Sequence, residues 1–232
     1  MFVKVCGVRT EACVHACVAA GVDAIGFDFT TPCRPVDVAT VQRLIEPVPG
    51  PIMTVAVFTG TSAEEAALVA IDAGVDAIQV SGGYDDYSYE DIELLGELFA
   101  VVIRGTDLAS YPHSALQVDP EDVLMIVQPE DRPLQVDRDF AMYNGHSRWM
   151  LSGGLGPDNL TDVSSHFGSL PWGSDVSRGV EREPGLKDPN LVQRFVTVAR
   201  RGHQFYGPGG EDYTWWWKRP PKRLGQRRSR RR

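Results

Sequence analysis

The chain predicts a single (β/α)8 barrel, and two observations carry that prediction. The first is a repeated hexamer: residues 20–25 and 73–78 both read Ala-Gly-Val-Asp-Ala-Ile. Each copy follows a helical pattern and leads into an apolar strand, with Gly21 and Gly74 where a helix C-cap belongs. The offset of 53 residues suits two successive βα units per copy. The second is a series of short apolar runs, several of them unbroken, such as 55–58 and 123–127. Unbroken runs suit parallel strands buried on both faces. A doubly wound open sheet is the alternative. It calls for a Gly-x-Gly-x-x-Gly turn after the first strand, and Gly7-Val8-Arg9-Thr10 is not one.

Taken in order, the elements fill the barrel. Phe2-Val3-Lys4-Val5-Cys6-Gly7 alternates apolar residues with Lys4, then ends on a cysteine and a tight turn. In a barrel the residue ending a strand faces the active-site mouth, so Cys6 is the first candidate for chemistry. Its ordinary alternative is a small buried hydrophobe. Strands are expected near 2–6, 24–29, 52–58, 76–80, 100–103, 123–127, 149–152 and 173–177. Helices are expected near 10–20, 37–46, 62–73, 89–98, 157–166 and 188–201. The connections 104–122 and 128–147 are irregular. Residues 1–206 form the one domain. Gly207-Pro208-Gly209-Gly210 breaks the pattern, and 207–232 form a Trp- and Arg-rich tail expected to be disordered.

Charge divides the chain in the same place. The formal net charge is −8. Residues 218–232 hold nine Lys and Arg and no acid, which leaves 14 basic and 31 acidic residues in 1–217, a net of −17. An acidic body argues against a nucleic-acid role, except through the tail. All four cysteines (Cys6, Cys13, Cys17, Cys33) fall in the first 33 residues without a Cys-x-x-Cys spacing. Free thiols in a cytoplasmic protein fit this best. Neither a signal peptide nor a membrane span is expected, and the cysteine spacing does not suit a zinc site. A monomer or homodimer is expected.

Two loops suggest a phosphate. In such barrels phosphate is commonly held after strands seven and eight. The chain has Ser152-Gly153-Gly154-Leu155-Gly156 after the seventh strand and Ser177-Arg178-Gly179-Val180-Glu181 after the eighth. Glycines let backbone N–H groups approach an anion, and Arg178 adds a cation suited to bidentate contact. The expected site comprises Gly153, Gly154, Ser177, Arg178 and Gly179.

These stretches together resemble phosphoribosylanthranilate isomerase of tryptophan biosynthesis. The resemblance runs through Val3-Lys4-Val5-Cys6-Gly7, Ala24-Ile25-Gly26-Phe27-Asp28-Phe29, Pro32-Cys33-Arg34-Pro35-Val36 and Asp76-Ala77-Ile78-Gln79-Val80-Ser81-Gly82. It continues through 151–159, 175–181 and 184–188, so it covers about residues 2–201 in order. It implies an Amadori rearrangement, in which a phosphorylated N-ribosyl aminoaldose becomes a 1-amino-ketose without cofactor. It further implies Cys6 as general base, for which a thiol of lowered pKa would serve. Arg34 and Gln79 match positions assigned to substrate binding.

The departures are equally specific. The family's sixth strand ends in an aspartate that acts as general acid. Here that strand reads Val123-Leu124-Met125-Ile126-Val127, with Ile126 at the aspartate's place. The loop 128–143 lacks the family's glycines, and Ser81 stands for a histidine. Asp137 and Asp139 are the candidates to replace the acid, with Asp28 on another strand behind them. Two other readings follow from these losses: a diverged paralogue acting on another substrate in a specialised pathway, or a non-catalytic protein that binds a phosphorylated ligand.

Overall fold

The computed structural model describes residues 1–32, 35–81, 87–105, 123–127, 149–167 and 171–204. Eight parallel strands close into a barrel. They are β1 (Phe2–Val5), β2 (Ala24–Asp28), β3 (Met53–Thr59), β4 (Ala77–Ser81), β5 (Ala100–Gly105), β6 (Val123–Val127), β7 (Trp149–Leu151) and β8 (Gly173–Val176). Closure is direct: Phe2, Val3, Lys4 and Val5 register with Gly173, Ser174, Asp175 and Val176. Helices α1 (Glu11–Ala20), α2 (Val38–Ile45), α3 (Ala63–Ala73), α4 (Tyr89–Leu98), α5 (Leu160–Phe167) and α6 (Pro189–Gln204) surround it. The barrel and its strand positions are as the sequence predicts. A short antiparallel hairpin, β9 (Glu181–Glu183) with β10 (Leu186–Lys187), is an addition the pattern did not show. The tail lies outside the described residues, as do most of the two irregular connections.

The repeated hexamer has a mechanical meaning. Gly21 and Gly74 both take φ 72°, a left-handed conformation that favours glycine, and both close their helices with N–H bonds to the last turn. Two residues later an aspartate turns back to the preceding strand of its own unit. Asp23 Oδ2 accepts from Val3 N at 2.7 Å, and Asp76 Oδ2 accepts from Thr54 N at 2.8 Å. Each thereby satisfies a strand-opening N–H that the sheet leaves over. Helix starts are equally local: Thr10, Asp37, Ser62 and Ser88 each accept a backbone N–H of the first turn.

Two apolar clusters hold the layers. The larger lies between strands and helices and includes Val3, Val5, Val14, Ile25, Phe27, Val41, Phe58, Ile78, Leu95 and Phe195. The smaller fills the barrel itself: Phe2, Ala24, Met53, Val55, Val57, Ala77, Val102 and Met150, with Cys6 at its top. Phe2 stacks on Trp172 with ring centroids 4.4 Å apart and plugs the amino-terminal end.

Candidate functional site

Cys6 follows β1 directly, and its N–H still donates to Val176 O at 2.8 Å, so the closing ladder fixes its backbone. The side chain shares the inward face with Phe2 and Lys4, as the two-residue strand period requires. It forms part of the lining of a cavity of about 440 Å³ at the carboxyl-terminal face. The opposite lining comes from Ser152, Gly153, Gly154 and Leu155 after β7, and from Ser177, Arg178 and Gly179 after β8. Asp28, Thr59 and Asp175 complete the wall between them.

Beneath the cavity lies a buried charged cluster. Lys4 is fully buried, and its Nζ donates to Asp175 Oδ1 at 2.8 Å. The other carboxylate oxygen, Oδ2, accepts from Ser152 Oγ at 2.9 Å. A Cβ built on Gly26 would lie 3.0 Å from Cys6 Sγ and 3.2 Å from Lys4 Nζ, so β2 leaves out a side chain where these two groups meet. Burial works against the Lys4 ammonium, but Asp175 and Cys6 outweigh it and hold its pKa above the ordinary value. Burial pushes the Cys6 thiol up, and the downward pull of Lys4 does not overcome it. Asp175 and Asp28 add to the rise, and Lys187 opposes it. The lowered thiol pKa expected from the sequence is thus reversed here, because desolvation of a thiolate exceeds one nearby cation's attraction.

The two glycine loops are held by their own side chains. Gly153 and Gly154 take φ 91° and 59°. Asn159 clasps the first loop: its Oδ1 accepts from Gly156 N at 2.8 Å, and its Nδ2 donates to Gly154 O at 2.9 Å. Lys187, from β10, clasps the second, donating to Ser177 O (3.2 Å), Ser177 Oγ (3.3 Å) and Glu181 Oε1 (2.7 Å). The loops touch at Gly179, where any Cβ would overlap the Leu155 carbonyl oxygen. Arg178 stands exposed at the rim, and among the described residues its guanidinium has no carboxylate partner. Clustered N–H groups and one cation suit an anion.

The structure therefore brings together Cys6, Gly153, Gly154, Ser177, Arg178 and Gly179. Gln79 is set apart. It lies on β4, registered with Val57 and Val102, fully buried and away from the cavity lining. Among the described residues neither end of its amide has a hydrogen-bond partner. Arg34, Asp137 and Asp139 lie outside the described residues. Position 126 registers with Arg104 and Met150, and β6 carries no carboxylate at any of its five positions. Asp28 does border the cavity, but its Oδ1 accepts from Thr30 N and Thr31 N, which ties it to the turn after β2. Lys4, Asp175, Ser152, Asn159 and Lys187 were not singled out from the sequence. The first had a signal: strand alternation puts Lys4 on the face of Cys6. Among the described residues no group of three His, Cys, Asp or Glu is placed to hold a metal ion, and no helix is long and apolar enough to cross a membrane.

Comparison with known proteins points one way. Residues 3–198 match the family model of N-(5′-phosphoribosyl)anthranilate (PRA) isomerase. The chain is 34% identical over 222 residues to N-(5′-phosphoribosyl)anthranilate isomerase of Rhodospirillum rubrum, covering 86% of this chain and 98% of that one. It is 32% identical over 223 residues to the enzyme of that name from Symbiobacterium thermophilum, with the same two coverages. Among solved structures, TrpF from Jonesia denitrificans superposes with a TM-score of 0.72 at 34% identity, covering 88% of this chain and 98% of that one. A phosphoribosyl anthranilate isomerase in complex with reduced 1-(o-carboxyphenylamino)-1-deoxyribulose 5-phosphate shares the fold, with a TM-score of 0.72 at 23% identity over 87% of this chain and 99% of that one.

Proposed function

The chain belongs to the N-(5′-phosphoribosyl)anthranilate isomerase family, and we propose that it converts a phosphorylated N-ribosyl aminoaldose into the 1-amino-ketose. One observation carries this reading: a buried cysteine and two interlocked glycine loops face each other across one cavity. The loops and Arg178 take the substrate's phosphate. That places the sugar ring over Cys6.

An acid protonates the ring oxygen, and the C1′–O bond breaks to give a protonated imine. Cys6, as thiolate, removes the proton at C2′. The electron pair moves to C1′–C2′ and neutralises the nitrogen, giving an enolamine. Proton return to C1′ and loss of the C2′ hydroxyl proton give the ketose. Atoms and charge balance, and no external oxidant is involved.

For the acid, Asp137 and Asp139 remain the proposed donors, since β6 supplies none. Arg34 is proposed to meet the aromatic acid end of the substrate. Gln79 remains a proposed substrate contact: its buried amide is unmatched among the described residues, although it does not line the cavity. The diverged-paralogue and binding-only readings gain nothing from the Rhodospirillum rubrum and Symbiobacterium thermophilum relatives, both of which carry the isomerase name.

Complementation of a bacterial tryptophan auxotroph lacking this isomerase tests the reading. Growth supports it, and failure together with no turnover of purified protein on phosphoribosylanthranilate removes it. A loop-borne acid is harder to hold in place than one on a strand, and misplacement by about 1 Å can cost on the order of a hundredfold. Turnover is therefore expected to be weak, and Ile126→Asp is expected to raise it, read as kcat. A wild-type rate that Ile126→Asp lowers would mean the acid is already supplied from elsewhere.

A further inference from the structure

We propose that Lys4 is a positioning residue for Cys6: its buried ammonium, tied to Asp175, is the fixed counter-charge that lets Cys6 act as a thiolate base. This rests on the reading of Cys6 as the base. The geometry carries it. Lys4 and Cys6 project from one face of the same strand. Their polar atoms meet over Gly26, whose missing side chain leaves 3.0 Å and 3.2 Å to Sγ and Nζ. Alanine at position 26 would require both to give way by a few tenths of an ångström.

The ammonium cannot wander, because Asp175 holds it at 2.8 Å and Ser152 holds Asp175 in turn. A fully buried lysine is expensive unless it is paired. Here the pair is made with a residue that also borders the cavity. Among the described residues, the charged groups acting on Cys6 are Lys4 on its own strand, Asp28 from β2, Asp175 from β8 and Lys187 from β10. Lys4 has the largest influence of the four, and it is one of two that favour the thiolate. Removing it leaves two carboxylates against the more weakly acting Lys187. The buried pair is thus part of the base rather than a support for the barrel alone.

The test reads Cys6 directly. Ultraviolet thiolate absorbance is titrated against pH in the full chain and in Cys6→Ser, and the difference isolates Cys6 from the other thiols. In a Lys4→Met background the Cys6 midpoint is expected to rise by about one pH unit or more. The acidic limb of kcat/KM should move with it, lowering kcat/KM at neutral pH by about tenfold per unit. Lys4→Arg, which keeps the charge, should restore part of the shift.

If Lys4→Met does not fold, Lys4→Met/Asp175→Asn removes both charges and carries the same measurement, with a smaller rise expected. An unmoved midpoint in the folded variant overturns the proposal, as does a lost rate with an unmoved pH limb. The absorbance titration needs no substrate. Absence of turnover on phosphoribosylanthranilate would therefore count against the proposed function and not against the Lys4–Cys6 coupling.

Discussion

At the scale of single residues, Cys6 is the sharpest test. Its thiol is pushed above the ordinary value of 9.0 by burial. A base works deprotonated, so kcat/KM is expected to climb with pH through the alkaline range rather than level off near neutrality. Cys6→Ser should remove that limb and lower kcat by roughly a hundredfold or more, while KM stays close to wild type. Equal kcat in wild type and variant would take Cys6 out of the chemistry.

Arg178 gives a second test at this scale. Inorganic phosphate is expected to raise the melting temperature of the wild type, since a ligand of the native state stabilises it. Arg178→Ala and Gly154→Asp should each abolish that rise. The same rise in both variants would place the phosphate elsewhere. Cys6, the two glycine loops and Arg178 were legible because each sits at a strand end, where the barrel gives position a meaning. Lys4 and Asp175 were not, for opposite reasons. Alternation marked the inward face of Lys4 but said nothing of a partner. Asp175 lies 171 residues away, a distance only barrel closure bridges. Direction of the Cys6 shift was equally out of reach, because it depends on how deep the thiol lies.

Among the elements, the two Ala-Gly-Val-Asp units are the most instructive. Each combines a left-handed glycine cap with an aspartate that holds the start of the preceding strand. They are not equivalent, though. Asp76 takes Thr54 N and Thr54 Oγ1, at 2.8 and 2.6 Å. Asp23 takes Val3 N and also Arg200 Nη2, from α6, at 2.7 Å. Asp76→Ala strands the buried Thr54 N–H and should cost about 1–3 kcal/mol.

The expected fall in melting temperature for Asp76→Ala is about 2–4 °C per kcal/mol, with kcat unchanged at permissive temperature. A fall in kcat without loss of stability would contradict a purely architectural role at this amino-terminal end. Most of the strands were readable as apolar runs of ordinary length, although β7 has only three residues and β8 reads Gly173-Ser174-Asp175-Val176. Hairpin β9–β10 was not: Glu181-Arg182-Glu183 has no apolar pattern, and what fixes it is Lys187 reaching Glu181 and Ser177. Its function as a clasp on the second glycine loop appears only in three dimensions.

For the whole molecule, the boundary near residue 206 is the property to test. The family match ends at residue 198, inside α6, and the basic tail follows it. A chain ending at Tyr206 is expected to keep its fold, with a melting temperature within about 2 °C of the full chain and the same turnover. A collapse in either would make the tail part of the barrel's structure.

Closure by β1 and β8 has a consequence during synthesis. The amino-terminal strand is the first to leave the ribosome, yet its partner ends at residue 176. Until then one side of β1 is an open edge, a template for mispairing with any extended segment nearby. Through the same interval Lys4 has no Asp175, so its ammonium cannot be buried without a large penalty. Burial of that ammonium therefore waits for β8, the last strand of the ring, to bring Asp175 beside it. The cluster beneath the cavity is thus assembled last, from the two ends of the ring.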